Sequence, residues 1–334
     1  MMTRIVPTLD DRSWQPRARR VVLWSSVFAL VAVAVALAVV WSWRDTLPDP
    51  LASHWGPGAD APDGFTSLPG LVFPTVALVI LGCAAFGAIG LLRGAAAVTR
   101  RMVAGSSVWL GGFTASLLLF VTGTQRDLAD PSQARLSGWA LAAVIVLPLV
   151  PAAVAALLAG GDRPAPATTP VAADAARIAL TDGERAVWIR RANGGPGLIV
   201  GAVVAVATVV LAVVLREWAL LTVPVLLAAL FAVMFAYTVR VDATGLTVRS
   251  LLGRPGTHIP ADEVERASVV QVEPLREFGG WGWRVGRGGR VGVVLRSGAG
   301  LLVERTGGRS FVVTVDDAAT GAALLNTLAD RSRR

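Results

Sequence analysis

Six apolar runs without a single charge dominate this chain, at 21–43, 71–92, 102–122, 137–159, 198–215 and 218–239. A helix needs about 20 residues at ~1.5 Å each to cross ~30 Å of hydrocarbon, and every run is near that length. Backbone N–H and C=O groups find no water inside a bilayer, so runs of this kind cross as helices. The last two are parted only by Arg216-Glu217. Joined, they would reach about 60 Å, twice the membrane thickness, so they read as a helical hairpin. The first run follows a basic leader, and Ala36-Leu37-Ala38 imitates a signal cleavage site. It exceeds a signal core, however, and keeps Trp24, Trp41 and Trp43 towards its two ends, as an uncleaved span does. An α-helical polytopic membrane protein with six transmembrane helices in a four-plus-two arrangement follows. With 54% hydrophobic and 16% charged residues over 334 positions, the composition is that of a membrane protein and not of a soluble domain.

Orientation is read from arginine, because the chain has no lysine. Residues 1–20 and the connectors 93–101 and 160–196 hold 13 arginines, against 4 in the alternate connectors 44–70, 123–136 and 216–217. The positive-inside rule then places both termini in the cytoplasm and residues 44–70 outside a cell membrane. The absence of lysine removes Schiff-base and phosphate-loop chemistry. The single cysteine, Cys83, excludes an intramolecular disulfide or a cysteine metal cluster and reads as helix packing. None of the six runs contains Asp, Glu, Lys, Arg or His. Such a group at mid-membrane costs roughly 2.5–3.5 kcal/mol and is kept for a purpose, so the runs argue against a pump, a proton-coupled transporter or an intramembrane metalloprotease. With no nucleophile–base pair and no cofactor motif, the leading expectation is a non-enzymatic membrane protein. The competing class is a transport or channel component lined by small polar groups, for which Ser106, Ser107, Thr114 and Ser116 are the candidates.

The outer loop reads LPDPLASHWGPGADAPDGFTS over residues 47–67. Imidazole and carboxylate suit zinc or nickel, which brings His54, Asp49, Asp60 and Asp63 into view. A site needs three or more convergent ligands, so no metal is expected. Asp49, His54, Trp55 and Asp63 are instead candidate residues for recognising an extracellular peptide or envelope component. The alternative is a loop that only connects two spans.

The chain divides into a four-helix membrane domain (1–160), a linker with an amphipathic lead-in (161–196), a transmembrane hairpin (197–239) and a cytoplasmic β-domain (240–334). The linker opens Gly-Gly-Asp-Arg-Pro-Ala-Pro, a flexible composition, and residues 178–188 suit a short amphipathic segment on the inner membrane face. Beyond 239 the apolar period becomes two, with strands expected around the turn at 242–245 and at 267–272, 291–296, 300–305 and 309–315. Asp316 and Asp317 are expected to cap a closing helix whose buried face is Ala318, Ala322, Leu325 and Leu328. His258 reads as a strand-end residue.

The stretch 279–292, GGWGWRVGRGGRVG, lacks the third glycine and the βαβ setting of a dinucleotide loop. Its Arg284, Arg287 and Arg290 are candidate contacts to the anionic inner leaflet, each worth ~1 kcal/mol near such lipid. A bare β-turn is the plainer reading. Residues 240–334 hold 14 arginines against 10 acids, too even a balance for a nucleic-acid face. The expected partners are therefore the bilayer and a cytoplasmic protein, and not nucleic acid.

Two stretches resemble known families. Leu47-Pro48, His54-Trp55 and Asp63-Gly64-Phe65 resemble the outward loop of the N-terminal domain of unknown function in bacterial sporulation-delay toxin-immunity proteins. That resemblance implies a four-helix domain and an immunity-like or envelope-sensing role. From Gly183-Glu184-Arg185 and Trp188 onward, the chain is similar to bacterial membrane proteins with a pleckstrin-homology-like domain. The residues carrying this are Gly245-Leu246, Ile259-Pro260, Phe278-Gly279-Gly280-Trp281-Gly282 and Phe311-Val312-Val313-Thr314-Val315. It implies a helical hairpin followed by a small β-barrel capped by a helix, with no catalytic centre.

Overall fold

The computed structural model describes residues 14–56, 61–162, 165–181, 183–194, 196–286 and 289–334. Among the described residues, six segments are long and apolar enough to cross a membrane: Gln15–Ser42, Leu68–Arg93, Ala97–Gly123, Gly138–Leu158, Leu198–Leu215 and Trp218–Phe235. The described residues separate into two compact units, one within 14–162 with 207–223, the other within 165–206 with 224–334.

In the first unit, α1 (Gln15–Ser42), α2 (Leu68–Arg93) and α3 (Ala97–Gly123) are followed by α4 (Gly138–Val146) and α5 (Leu149–Leu158). The last two make one apolar stretch broken at Leu147-Pro148, where proline lacks the N–H that would continue the ladder. The buried stripe of α1 is Ala18, Val21, Ser25, Ala29, Val33, Ala36 and Val40, at three- and four-residue steps. It meets α3 at small residues. A Cβ on Gly111 would stand 2.4 Å from Ala29 Cα, so only glycine lets the two backbones approach this closely. Lipid is as apolar as leucine, so close packing of small residues is what holds such helices together. Ser107 and Thr114, one turn to either side of Gly111, are buried on this same face, while Ser106 and Ser116 are half-buried.

Gly94 lies against Ala18 and Gly123 against Trp43, which fixes the two ends of the bundle. One end carries Arg17, Arg19, Arg20, Arg93, Arg100 and Arg101; the other carries Trp41, Trp43 and the 44–67 segment. There Arg126 stacks on Trp43 at 4.9 Å and Arg44 on Trp41 at 5.2 Å.

The second unit holds the β region. A four-stranded antiparallel sheet runs β3 (Trp188–Asn193), β4 (Ala236–Asp242), β5 (Gly245–Ser250) and β6 (Gly256–Pro260). A five-stranded sheet has the order β7 (Val264–Val272), β10 (Gly298–Arg305), β11 (Arg309–Thr314), β9 (Val291–Val294) and β8 (Gly282–Val285), with β9 and β11 parallel. Helices α8 (Pro274–Phe278) and α9 (Ala318–Arg331) complete it, and α9 buries the expected Ala318, Ala322, Leu325 and Leu328. The strands expected from period two are present. Among the described residues they form two open sheets, and no closed barrel is found.

Three expectations are corrected here. The described residues of 178–188 lie along α9 and not as an amphipathic segment of their own: Ile178 N–H donates to Thr327 Oγ1 (3.0 Å) and Arg331 Nη2 to Leu180 O (2.8 Å), and the chain then enters β3, which pairs with β4 from Trp188↔Val241 to Asn193↔Ala236. Trp188 and Ala192 are both buried, a spacing of four that a helix and a strand share, so the pairing with β4 decides between them; the Trp188 ring lies against Gly321 of α9. The sheet therefore begins ahead of α6 (Pro196–Leu215), and α7 (Thr222–Phe235) runs straight back into β4.

The linker is also not free. Ala165 N–H donates to Glu263 Oε1 (2.9 Å), Ala167 N–H to Asp262 O (2.8 Å) and Ala172 N–H to Glu265 O (3.2 Å), so residues 165–176 strap the sheet edge. Finally, Asp317 is at the N-cap position but makes no capping bond, because its backbone is left-handed (φ 55°). Its carboxylate instead accepts from Thr320 Oγ1, Trp188 Nε1 and the Arg190 guanidinium, which hold its pKa below the usual carboxylate range, the Thr320 bond foremost.

Candidate functional site

The loop between α1 and α2 is a built structure. Strands β1 (Leu51–His54) and β2 (Gly64–Thr66) pair antiparallel through Leu51↔Thr66, Ala52↔Phe65 and His54↔Gly64. Gly64 is required opposite His54, since a Cβ there would be 2.8 Å from His54 Cβ. With that space open, His54 Nδ1 reaches Asp63 Oδ1 at 2.5 Å, and Asp63 N–H donates to His54 O at 3.1 Å. Both side chains remain largely exposed, at 69% and 54%. They form a charged pair only when the imidazole is protonated.

Beneath this pair, the hairpin is clamped. Leu51 and Ala52 are buried, and the Gln125 side chain, 0% exposed, serves Ala52 as a neighbouring strand would. Its Oε1 accepts from Ala52 N–H (2.7 Å), and its Nε2 donates to Ala52 O (2.9 Å) and Val121 O (2.9 Å). Trp55 Nε1 donates to the carbonyl of buried Ala134 (3.3 Å), and Asp127 N–H to Thr46 O (2.8 Å). The hairpin thus stands on the end of α3 and on the connector that follows it.

Of the predicted recognition residues, the structure joins His54 to Asp63 and turns Trp55 inward as an anchor. Asp49 is exposed and apart from the pair, and Asp60 lies outside the described residues. Among the described residues, no three of His, Cys, Asp and Glu come together as a metal would need. Sequence reasoning missed Gln125. Its only signal is an uncharged amide in a polar connector, which becomes meaningful once Ala52 is known to lie above it.

Of the predicted lipid contacts, the two among the described residues, Arg284 and Arg290, each have a partner within the fold. Arg284 is exposed and donates from Nε to Trp281 O (2.8 Å). Arg290 is engaged by Glu277 (3.1 Å) and lies over the Phe278 ring at 6.0 Å. Arg287 lies outside the described residues. Gly286 N–H to Arg290 O (2.7 Å) closes the stretch as the turn joining β8 and β9. His258 pairs with Thr247 Oγ1 (2.9 Å) on β5, and Cys83 is buried in helix packing.

The clamp gives a direct test. Gln125→Leu keeps the volume but strands a buried N–H and a buried C=O on Ala52, at about 1–3 kcal/mol each. Amide exchange at residues 51–54 is expected to quicken by about thirtyfold or more. An unchanged exchange rate would show that Gln125 does not hold the hairpin. No protein-family model, curated protein or solved structure matches this chain.

Proposed function

We propose that this is a non-enzymatic, multi-pass cell-membrane protein whose outward hairpin at 44–67 recognises a peptide or envelope component. In this reading both termini are cytoplasmic, and the β region is a docking module on the inner side. The observation that carries it is the hairpin itself. A connector between two spans needs neither a buried glutamine clamp beneath it nor a polar pair held exposed on top. The grouping of six arginines at the opposite end of the bundle supports the orientation.

The resemblance of residues 47–65 to the outward loop of the immunity-protein domain supports a sensing or protective role over transport. Two sheets closed by a terminal helix support the pleckstrin-homology-like reading of the β region.

Single cysteines at Ala61 and Ser332, in a Cys83→Ser background, test the orientation with a membrane-impermeant thiol reagent on intact cells. Position 61 should label and 332 should not; the reverse pattern, or labelling of both, sinks it. Recognition is tested by a photo-crosslinking residue at Phe65, exposed on β2 beside the pair. A specific cell-surface adduct that disappears with His54→Ala is expected, and an adduct indifferent to that change would leave the hairpin without a recognition role.

A further inference from the structure

The turn between β5 and β6 is placed by the end of a candidate span. Helix α7 ends at Phe235 and β4 begins at Ala236 with no intervening residue. Leu251 N–H donates to Ala236 O at 2.8 Å, so the turn lies within one residue of the point where the chain leaves the apolar helix. The turn is tightly held. Ser250 Oγ donates to Arg254 O (2.6 Å), Ser250 N–H to Pro255 O (3.0 Å) and Gly253 N–H to Ser250 O (2.8 Å). What it presents is apolar: Leu251 is 70% exposed and Leu252 61%.

The charge around it has one sign. Arg249 and Arg254 flank the two leucines and are exposed. Arg191 stands two strands over in the same register row, Arg191↔Thr238↔Arg249. Among the described residues, none of these three arginines has a carboxylate partner, whereas Arg240 at the next row is paired with Asp242 (2.7 Å). Two exposed leucines ringed by unpaired arginines, level with a helix end, match a bilayer boundary: acyl chain for the leucines and anionic headgroup for the guanidiniums.

We propose that Leu251 and Leu252 insert into the anionic leaflet from which α7 emerges, with Arg249, Arg254 and Arg191 on its headgroups. The β region is then seated on the membrane by this turn and not by the 284–290 loop. The inference rests on the reading of α6 and α7 as membrane-embedded.

The full chain, with Cys83→Ser, is reconstituted in nanodiscs of phosphatidylglycerol and phosphatidylcholine whose acyl chains are brominated. An environment-sensitive fluorophore is attached at one of three single cysteines: Leu252→Cys, Val206→Cys within α6, or Ala243→Cys. Ala243 is in the turn at the far end of β4, roughly 20 Å along the strand. Quenching is expected at 206 and 252 and not at 243. Exchanging phosphatidylglycerol for phosphatidylcholine should weaken quenching at 252 alone, since each arginine near anionic lipid is worth about fivefold in occupancy. Quenching at 206 without quenching at 252 overturns the seating and leaves the membrane reading intact. Quenching at 243 equal to that at 252 also overturns it, as does indifference of 252 to lipid charge. No quenching at 206 would instead remove the membrane reading itself.

Discussion

Glu263→Gln is expected to destabilise the β region by about 3–5 kcal/mol, the cost of leaving one partner of a buried ion pair alone. Glu263 is 2% exposed and sits between β6 and β7, where it accepts from the Arg305 guanidinium, from Arg309 (3.4 Å) and from Ala165 N–H (2.9 Å). The amide keeps the shape and one bond to Ala165 but removes the counter-charge of Arg305, itself 8% exposed. Because the 165–176 strap is bonded to the residues around this pair, the lost stability should show there as amide exchange faster by about a hundredfold or more, near the lower end of that range. Glu263→Leu with Arg305→Met should recover most of the loss, since a desolvated pair is often replaceable by apolar packing. A single variant that loses less than about 1 kcal/mol in a denaturant titration would show that the pair is solvated in practice.

Arg100→Met should have an effect of similar size on the helical bundle. Arg100 lies in the first turn of α3 and is 2% exposed, yet it makes four bonds. Nη1 donates to Gly94 O and Ala95 O (both 2.8 Å), and Nη2 to Gly161 O and Asp162 Oδ1 (both 3.1 Å). Asp162 Oδ1 also accepts from Ala97 N–H (2.8 Å). One guanidinium therefore satisfies carbonyls just before α3 and just after α5, groups that a helix end otherwise leaves open. Removing it should cost about 3–5 kcal/mol, or roughly 6–20 °C in the melting temperature of a unit this size. Arg100→Lys should recover only part of this, because one ammonium cannot cover four acceptors held in a planar fork. Full thermal recovery with lysine would mean that charge alone matters, and the fork would lose its role.

Arg100 also shows what a residue count conceals. It is one of the 13 arginines that carry the positive-inside signal, and its charge is spent within the fold. Arg17, Arg19, Arg20, Arg93 and Arg101 still share its end of the bundle, so the bias does not depend on it. The hairpin at 44–67 was legible in part. His54, Trp55 and Asp63 stood out as residue types, and Asp63-Gly64 as a pair. That glycine is there to leave room for His54 Cβ follows only from the register His54↔Gly64.

What the sequence by itself determined is everything carried by local period and length. Six uncharged runs of near-spanning length set the helices, and alternation after 239 set most strands, because burial along one element repeats every 3.6 or every 2 residues. What only the tertiary structure decided is what joins residues far apart in the chain. β3 belongs to a sheet completed 43 residues later, beyond two helices, and a six-residue strand with two adjacent arginines has too little period to announce itself. The strap at 165–176 reads as a linker because its bonds are made by backbone groups, which every sequence possesses. Gln125 closes on Ala52 across 73 positions, and Leu251 on Ala236 across a reversed strand. Such pairings depend on where the backbone comes to rest, and no local pattern encodes that.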